Sequence, residues 1–236
     1  MCIAILNNSG KLSKQTIYTC WENNPDGAGF TYWNGNELVV IKELQSKKRF
    51  FKLYSQHRDK SSNPFAVHFR VATCGKIDAT NCHPFKVSNK IAFIHNGVIP
   101  QLSDYKSNFS DTYELNELLK GMPEDWLLNQ SVIELLSDYI SSSKLVFIRQ
   151  NEYSIINEHL GKWDDGNWFS NDTYKPIQKY RYYDGEKYSN YSFADEYTNV
   201  RDWQYCECCN ELSEVKYVST YNMDICHKCI KEFQLI

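Results

Sequence analysis

The order of predicted elements makes this chain α+β. Strands come first, a pair of helices follows within residues 110–140, and strands return after them. That order is compatible with two sheets packed between helix layers. A 42% hydrophobic content over 236 residues supplies a core for one large domain, or for one domain and a small appendage.

Each element has a local reason. Ile3-Ala4-Ile5-Leu6 is an unbroken apolar run and reads as a buried strand, with Asn7-Asn8-Ser9-Gly10 as the turn after it. Leu12 to Trp21 suits a helix with Leu12, Gln15, Tyr18 and Thr19 on one side, and Asn23-Asn24-Pro25-Asp26-Gly27 ends it. Gly29 to Trp33 and Glu37 to Glu43 flank Asn34-Gly35, a hairpin signal. Ser46 to Gln56 fits a short helix with Phe50, Leu53 and Tyr54 on its apolar side, and Phe65 to Val71 and Ile91 to Ile94 are strands. Ser110 or Asp111 caps a helix that runs to Gly121. Ser131 to Ile140 makes a second helix, with Val132, Leu135, Leu136 and Tyr139 on one face. Lys144 to Arg149 and Tyr153 to Ile156 form a hairpin around Gln150-Asn151, and Asn167 to Ser170 is a last short strand. The first domain is expected over 1–178. Tyrosines and charges then dominate 179–203, a linker or wrapping arm, and cysteines crowd 204–236.

Bulk properties remove some functions. A net charge of −3 gives no broad surface for nucleic acid or membranes. No apolar stretch is long enough to span a bilayer, and no basic segment followed by an apolar one opens the chain. The expectation is a soluble cytoplasmic protein.

Chemistry begins at Met1-Cys2. Removal of Met1, which a residue as small as Cys permits, puts a thiol and a free α-amine on one residue. An amine of pKa near 8 can serve as general base for a thiol beside it. The plainer reading of Cys2 is a small buried residue at a strand start. Further segments hold chemistry-capable residues: Asn24-Pro25-Asp26-Gly27-Ala28-Gly29, His68 to Gly75, Asn81-Cys82-His83-Pro84-Phe85, His95-Asn96-Gly97-Val98-Ile99 and Ser110-Asp111-Thr112. With Cys2, this ordered set resembles the class II glutamine amidotransferases, the N-terminal-nucleophile glutaminase family, over roughly residues 2–175. The resemblance implies a four-layer αββα sandwich. It also implies that Cys2 attacks the side-chain amide of glutamine and that its amine moves the proton. Asn96 and Gly97 would form the oxyanion hole, and Arg70, Thr73 and Asp111 would bind the substrate. Such a donor set suits a tetrahedral oxyanion, a planar guanidinium suits an α-carboxylate, and a carboxylate suits an α-ammonium.

Plainer readings stand beside these. Arg70 could be a surface cation on an edge strand, Asn96-Gly97 a hairpin turn, and Asp111 a helix cap. His68, His83 and His95 read mostly as hydrogen-bonded core histidines. The chain also departs from the family pattern. Asn23-Asn24 stand where Arg-Gly is frequent, Val71 replaces an aromatic, and Cys74 replaces a histidine. These changes bear on the glutamine lid and on coupling to an acceptor.

Cys206-Glu207-Cys208-Cys209 and Cys226-His227-Lys228-Cys229 give C-x2-C, sixteen residues, then C-x2-C. That spacing suits a structural zinc ion, and the module resembles a zinc ribbon. The expected ligands are Cys206, Cys209, Cys226 and Cys229, with Cys208 an alternative to either of the first pair. Lys216, Lys228 and Lys231 are offset by Glu207, Glu211, Glu214, Asp224 and Glu232, so nucleic acid is not the favoured partner.

Three functions remain open at this stage. One is a glutaminase subunit that supplies ammonia to an acceptor activated by a synthase partner, because the chain lacks the large synthase domain many family members carry. Another is a stand-alone hydrolase of glutamine or a γ-glutamyl compound. The third is a silent adaptor that acts through the zinc module. No cofactor is expected for the glutaminase chemistry.

Overall fold

A computed structural model describes residues 2–176. Beyond them it describes 180–184, 187–191, 203–205, 212–218, 223–226 and residue 228. Packing divides the chain into two units, Met1–Pro176 and Ile177–Ile236.

The first unit is mixed α/β with two antiparallel sheets. Its elements are β1 (Ile3–Asn7), α1 (Lys14–Asn23), β2 (Ala28–Trp33), β3 (Leu38–Glu43), α2 (Lys47–Arg58), β4 (Phe65–Phe69), β5 (Phe85–Lys86) and β6 (Ile91–Asn96). They continue as α3 (Asp111–Lys120), α4 (Gln130–Ile140), β7 (Lys144–Arg149), β8 (Glu152–Ile156), β9 (Lys162–Asp164) and β10 (Asn167–Phe169). One sheet runs β3-β2-β4-β1-β10-β9 and the other β5-β6-β7-β8. Polar caps start the helices: Ser13, Ser46, Ser110 and Asn129 each accept a backbone N–H in the first turn of α1, α2, α3 and α4.

Strand alternation explains the layering. Successive side chains point to opposite faces, so a strand buried on both sides must be apolar throughout. In β1, Ile3 and Ile5 join Phe30, Phe65, Val67 and Phe69 against Ile17 of α1 and Phe50 and Tyr54 of α2. Ala4 and Leu6 face the other way, onto Ala92 and Ile94 of β6 and Val146 and Ile148 of β7. Phe93, Leu145 and Phe147 then pack on Leu115 and Leu119 of α3 and Ile140 of α4. The two sheets therefore lie face to face, with a helix pair on the outer side of each. Small residues (Ala4, Ala66, Ala92) line the inter-sheet core, which lets the sheets approach closely.

Two helix faces differ from expectation. In α1 the buried residues are Ile17, Thr19, Cys20 and Trp21, so Gln15 lies off the packed stripe. In α4, Val132, Ile133, Leu136 and Ile140 face the core, while Leu135 is 70% exposed and Tyr139 also faces outward. A short helix with many apolar residues offers two stripes about 100° apart, and the sheet selects one. The short strands β5 and β9 were not anticipated: they have two and three residues, too few for a period.

The site follows from register. Ile3 pairs with Phe69, so Cys2 lies beside the exit of β4 at Arg70. Asn96 ends β6 and pairs with Lys144 of β7, after a connection that contains α3 and α4.

In the second unit, β11 (Tyr180–Asp184) pairs with β12 (Lys187–Tyr191). β14 (Leu212–Val218) pairs with both β13 (Trp203–Tyr205) and β15 (Met223–Cys226), all antiparallel. The stretch expected as a linker or arm thus includes a strand pair. Met1, Cys206, Cys208, Cys209 and Cys229 lie outside the described residues. Among the described residues no helix is long and apolar enough to cross a membrane.

Candidate active site

Cys2 is held at the sheet end by main-chain bonds. Its thiol donates to the Val71 carbonyl and its sulfur accepts the Val71 N–H, both at 3.2 Å. Its own carbonyl accepts two side-chain amides, Asn96 Nδ2 at 2.6 Å and Asn171 Nδ2 at 2.7 Å. Burial pushes the Cys2 thiol above its ordinary value. The Val71 N–H and the Arg70 charge oppose that rise, and the Asp111 charge adds to it. A thiol in this state needs a base to become a nucleophile.

Arg70 is buried, and β4 is an interior strand, so the surface-cation reading is excluded. Its guanidinium donates to the carbonyls of Cys74 and Lys76, each at 3.0 Å. A guanidinium has five N–H groups, so donors remain for a ligand. The Pro25-Asp26-Gly27 turn clamps this segment. Asp26 N donates to Arg70 O, Arg70 N to Gly27 O, and Ala72 N to Asp26 Oδ2.

Asp111 is not the cap of its helix, because Ser110 takes that role through Tyr113 N at 3.1 Å. The Asp111 carboxylate instead accepts Ile99 N on Oδ2 at 2.8 Å, and Thr112 N and Thr112 Oγ1 on Oδ1. Asn96-Gly97 is not a hairpin turn either, since two helices intervene before the paired strand. Gly97 has φ of +144°, and a Cβ there would lie 2.2 Å from Ser143 Oγ, so the site demands glycine. Cys2, Arg70, Thr73, Gly97 and Asp111 line one cavity of about 20 Å³, together with Val71, Cys74, His83, His95, Ser110 and Thr112. Asn96 stands behind it, reached through its bond to Cys2.

The three histidines bridge the sheets. His68 of β4 stacks on His83 at 3.8 Å, and His83 lies parallel to His95 of β6 at 6.3 Å. His68 departs from the hydrogen-bonded expectation: both its ring nitrogens are buried without a partner among the described residues. His95 N donates to His83 Nδ1, which puts the His83 proton on Nε2. Thr112 Oγ1 donates to Asp111 and so accepts from His95 Nδ1 at 2.8 Å. Burial holds His68 and His83 well below the ordinary range and pushes His95 down to about 4, with Asp111 opposing and Lys144 assisting. All three are neutral at pH 7.

Sequence reasoning missed Asn171, because Asn171-Asp172 after a strand looks like turn punctuation. It also missed that Cys74 and His95 border the cavity, beside His83, which the resemblance already associates with the site's surroundings. Only the departure at Cys74 hinted at this. Among the described residues no group of three or more His, Cys, Asp or Glu is arranged for a metal ion.

Residues 12–114 match the family model described as "Glutamine amidotransferases class-II", a segment that includes Arg70, Thr73, Asn96, Gly97 and Asp111. No curated protein matches the chain. Among solved structures, the Bacillus subtilis glutamine phosphoribosylpyrophosphate amidotransferase complexed with ADP and GMP is 17% identical, at a TM-score of 0.47, over 72% of this chain and 41% of that one. This chain thus spans less than half the length of that protein. A glutamine aminotransferase class-II domain protein from Silicibacter pomeroyi is 14% identical, at a TM-score of 0.39, over 72% of this chain and 87% of that one.

Proposed function

We propose that the first unit hydrolyses the side-chain amide of glutamine through a Cys2 thioester, within an N-terminal-nucleophile hydrolase fold. Its ammonia passes to an acceptor activated by a partner protein. The observation that carries this reading is convergence: Cys2, Arg70, Thr73, Gly97 and Asp111, distant in sequence, border a single cavity. The family-model match over residues 12–114 supports it.

In this reading Met1 is removed. The freed α-amine of Cys2 takes the thiol proton as sulfur attacks the amide carbon. Asn96 Nδ2 and Gly97 N stabilise the tetrahedral oxyanion. The protonated amine gives its proton to the leaving nitrogen, ammonia departs and a glutamyl thioester remains. Water, deprotonated by the same amine, then releases glutamate and restores the thiol. Arg70 receives the α-carboxylate and Asp111 the α-ammonium, and Thr73 lies at the rim. A cavity of about 20 Å³ holds a water or two. Glutamine entry therefore requires the cavity to widen.

Mass spectrometry of the purified chain after treatment with a glutamine-mimicking electrophile tests the reading. A single adduct on a Cys2 that is the first residue, with glutamine turnover lost in Cys2→Ala, is expected. An intact Met1 with unlabelled Cys2 overturns it. Turnover that rises when a partner is added supports ammonia transfer; full turnover without one supports a stand-alone hydrolase.

The paired C-x2-C motifs support a structural zinc ion on Cys206, Cys209, Cys226 and Cys229. Native mass spectrometry should find one zinc per chain, lost in Cys226→Ala; a metal-free chain refutes it.

A further inference from the structure

The carbonyl oxygen of Cys2 receives two side-chain amides, and the two are held differently. Asn96 Oδ1 is buried with no partner among the described residues, so that amide is fixed only through its donor end. Asn171 is fixed at both ends. Its Oδ1 accepts Thr173 N at 3.0 Å and Thr173 Oγ1 at 2.7 Å, while its Nδ2 donates to Cys2 O at 2.7 Å.

Donor and acceptor order extends outward from there. Thr173 Oγ1, having given its proton to Asn171, accepts Asn24 Nδ2 at 3.2 Å, and Asn24 Nδ2 also reaches Cys20 O at 2.9 Å. Asn23 Nδ2 donates to Thr173 O at 2.8 Å. Asn23 and Asn24, the pair that departs from the family pattern before Pro25-Asp26-Gly27, thus anchor the segment that carries Asn171.

We propose that Asn171 is a positioning residue for Cys2, oriented through Asn24 and Thr173. This rests on the glutaminase reading above and adds a residue beyond the matched segment 12–114. An Asn96 amide that turns toward a developing oxyanion loosens its bond to Cys2 O. Asn171 then keeps that oxygen bonded and the Cys2 backbone in place, which sets the direction of both thiol and amine. Misplacement of reacting groups by about 1 Å can cost roughly 100-fold in rate.

The test is glutamine hydrolysis by the full-length Asn171→Leu and Thr173→Val proteins. Asn171→Leu should lower kcat about 10- to 100-fold with KM for glutamine within about 2-fold. Thr173→Val, the milder change because the Thr173 N–H still reaches Asn171 Oδ1, should lower kcat less, and its effect should vanish in the double variant. Asn171→Asp has a distinct signature: its activity relative to Asn171→Leu should rise as pH falls, because a protonated carboxyl regains a donor for Cys2 O. An unchanged kcat in Thr173→Val and Asn171→Leu overturns the proposal, as does a KM rise that accounts for the whole loss. Wild-type protein without glutaminase activity would overturn the glutaminase reading instead. Asn171 is then decided by the pH profile of Cys2 alkylation by iodoacetamide, read by peptide mass spectrometry: a profile altered in Asn171→Leu supports it and an identical one refutes it.

Discussion

Asn96 donates its side-chain amide to the main-chain oxygen of Cys2 at 2.6 Å, which ties the end of β6 in one sheet to the start of β1 in the other. The same Nδ2 is the proposed oxyanion donor, so it serves Cys2 O in the resting site and turns to the oxyanion in the transition state. Asn96→Ala removes both. Turnover should fall on the order of 100-fold or more, the loss typical of one oxyanion donor. Stability should drop by only about 1 kcal/mol, because Asn171 still bonds the Cys2 oxygen. Steady-state kinetics beside urea unfolding separates the two. A rate loss no larger than the folded fraction explains would remove Asn96 from the oxyanion role.

Asp111 grips the loop after Gly97 through Ile99 N and its own helix start through Thr112. Asp111→Asn turns one acceptor into a donor and removes the charge. KM for glutamine should rise about 10- to 100-fold, the equivalent of a lost charge-assisted hydrogen bond. The melting temperature should also fall, because either amide orientation sets N–H against N–H. A normal KM in a folded Asp111→Asn protein would sink the assignment of the α-ammonium site.

The stack of His68, His83 and His95 makes stability fall in acid. Each is buried neutral, with a folded value below the ordinary 6.5. Below pH 6.5 the unfolded chain therefore binds more protons than the folded one, and stability declines as pH drops toward about 4, where His95 titrates in the fold. Urea midpoints at pH 7.5, 6 and 5 should decrease in that order. His68→Phe keeps a ring against His83 and removes one buried titrating group, so it should weaken the acid dependence with little change at pH 7.5. The same slope in both proteins would show that His68 does not contribute.

Much of this site was legible because its residue types are awkward anywhere else. A cysteine before an apolar strand, an arginine at a strand exit and Asn-Gly after His95 each invite a chemical question. What stayed hidden depended on tertiary placement. Asn171 is ordinary in sequence and becomes informative only when β10 brings it beside Cys2. The layers were readable because β1 and β6 are apolar on both faces. The inward side of α4 was not: Leu135 and Leu136 are adjacent, and only the sheet decides which of them it covers. The cap on α3 was open between Ser110 and Asp111, and the choice of Ser110 frees the carboxylate for the site.

Gly97 is constrained twice, and the two constraints can be separated. Its φ of +144° is a conformation side chains rarely adopt, and a Cβ would lie 2.2 Å from Ser143 Oγ and 2.7 Å from Ser143 Cβ. Gly97→Ala should cost on the order of 1–3 kcal/mol from backbone strain alone, with the clash in addition. It should also displace the Gly97 N–H from the oxyanion position, so that kcat falls further than the folded fraction does. Adding Ser143→Gly removes both side-chain contacts but leaves the 2.8 Å approach to Ser143 Cα, so it should return only part of the stability, while the strain and the rate loss persist. A double-mutant cycle on urea unfolding and on kcat measures the split. Complete recovery of kcat in the double variant would mean that the clash alone mattered and that the Gly97 N–H is not an oxyanion donor.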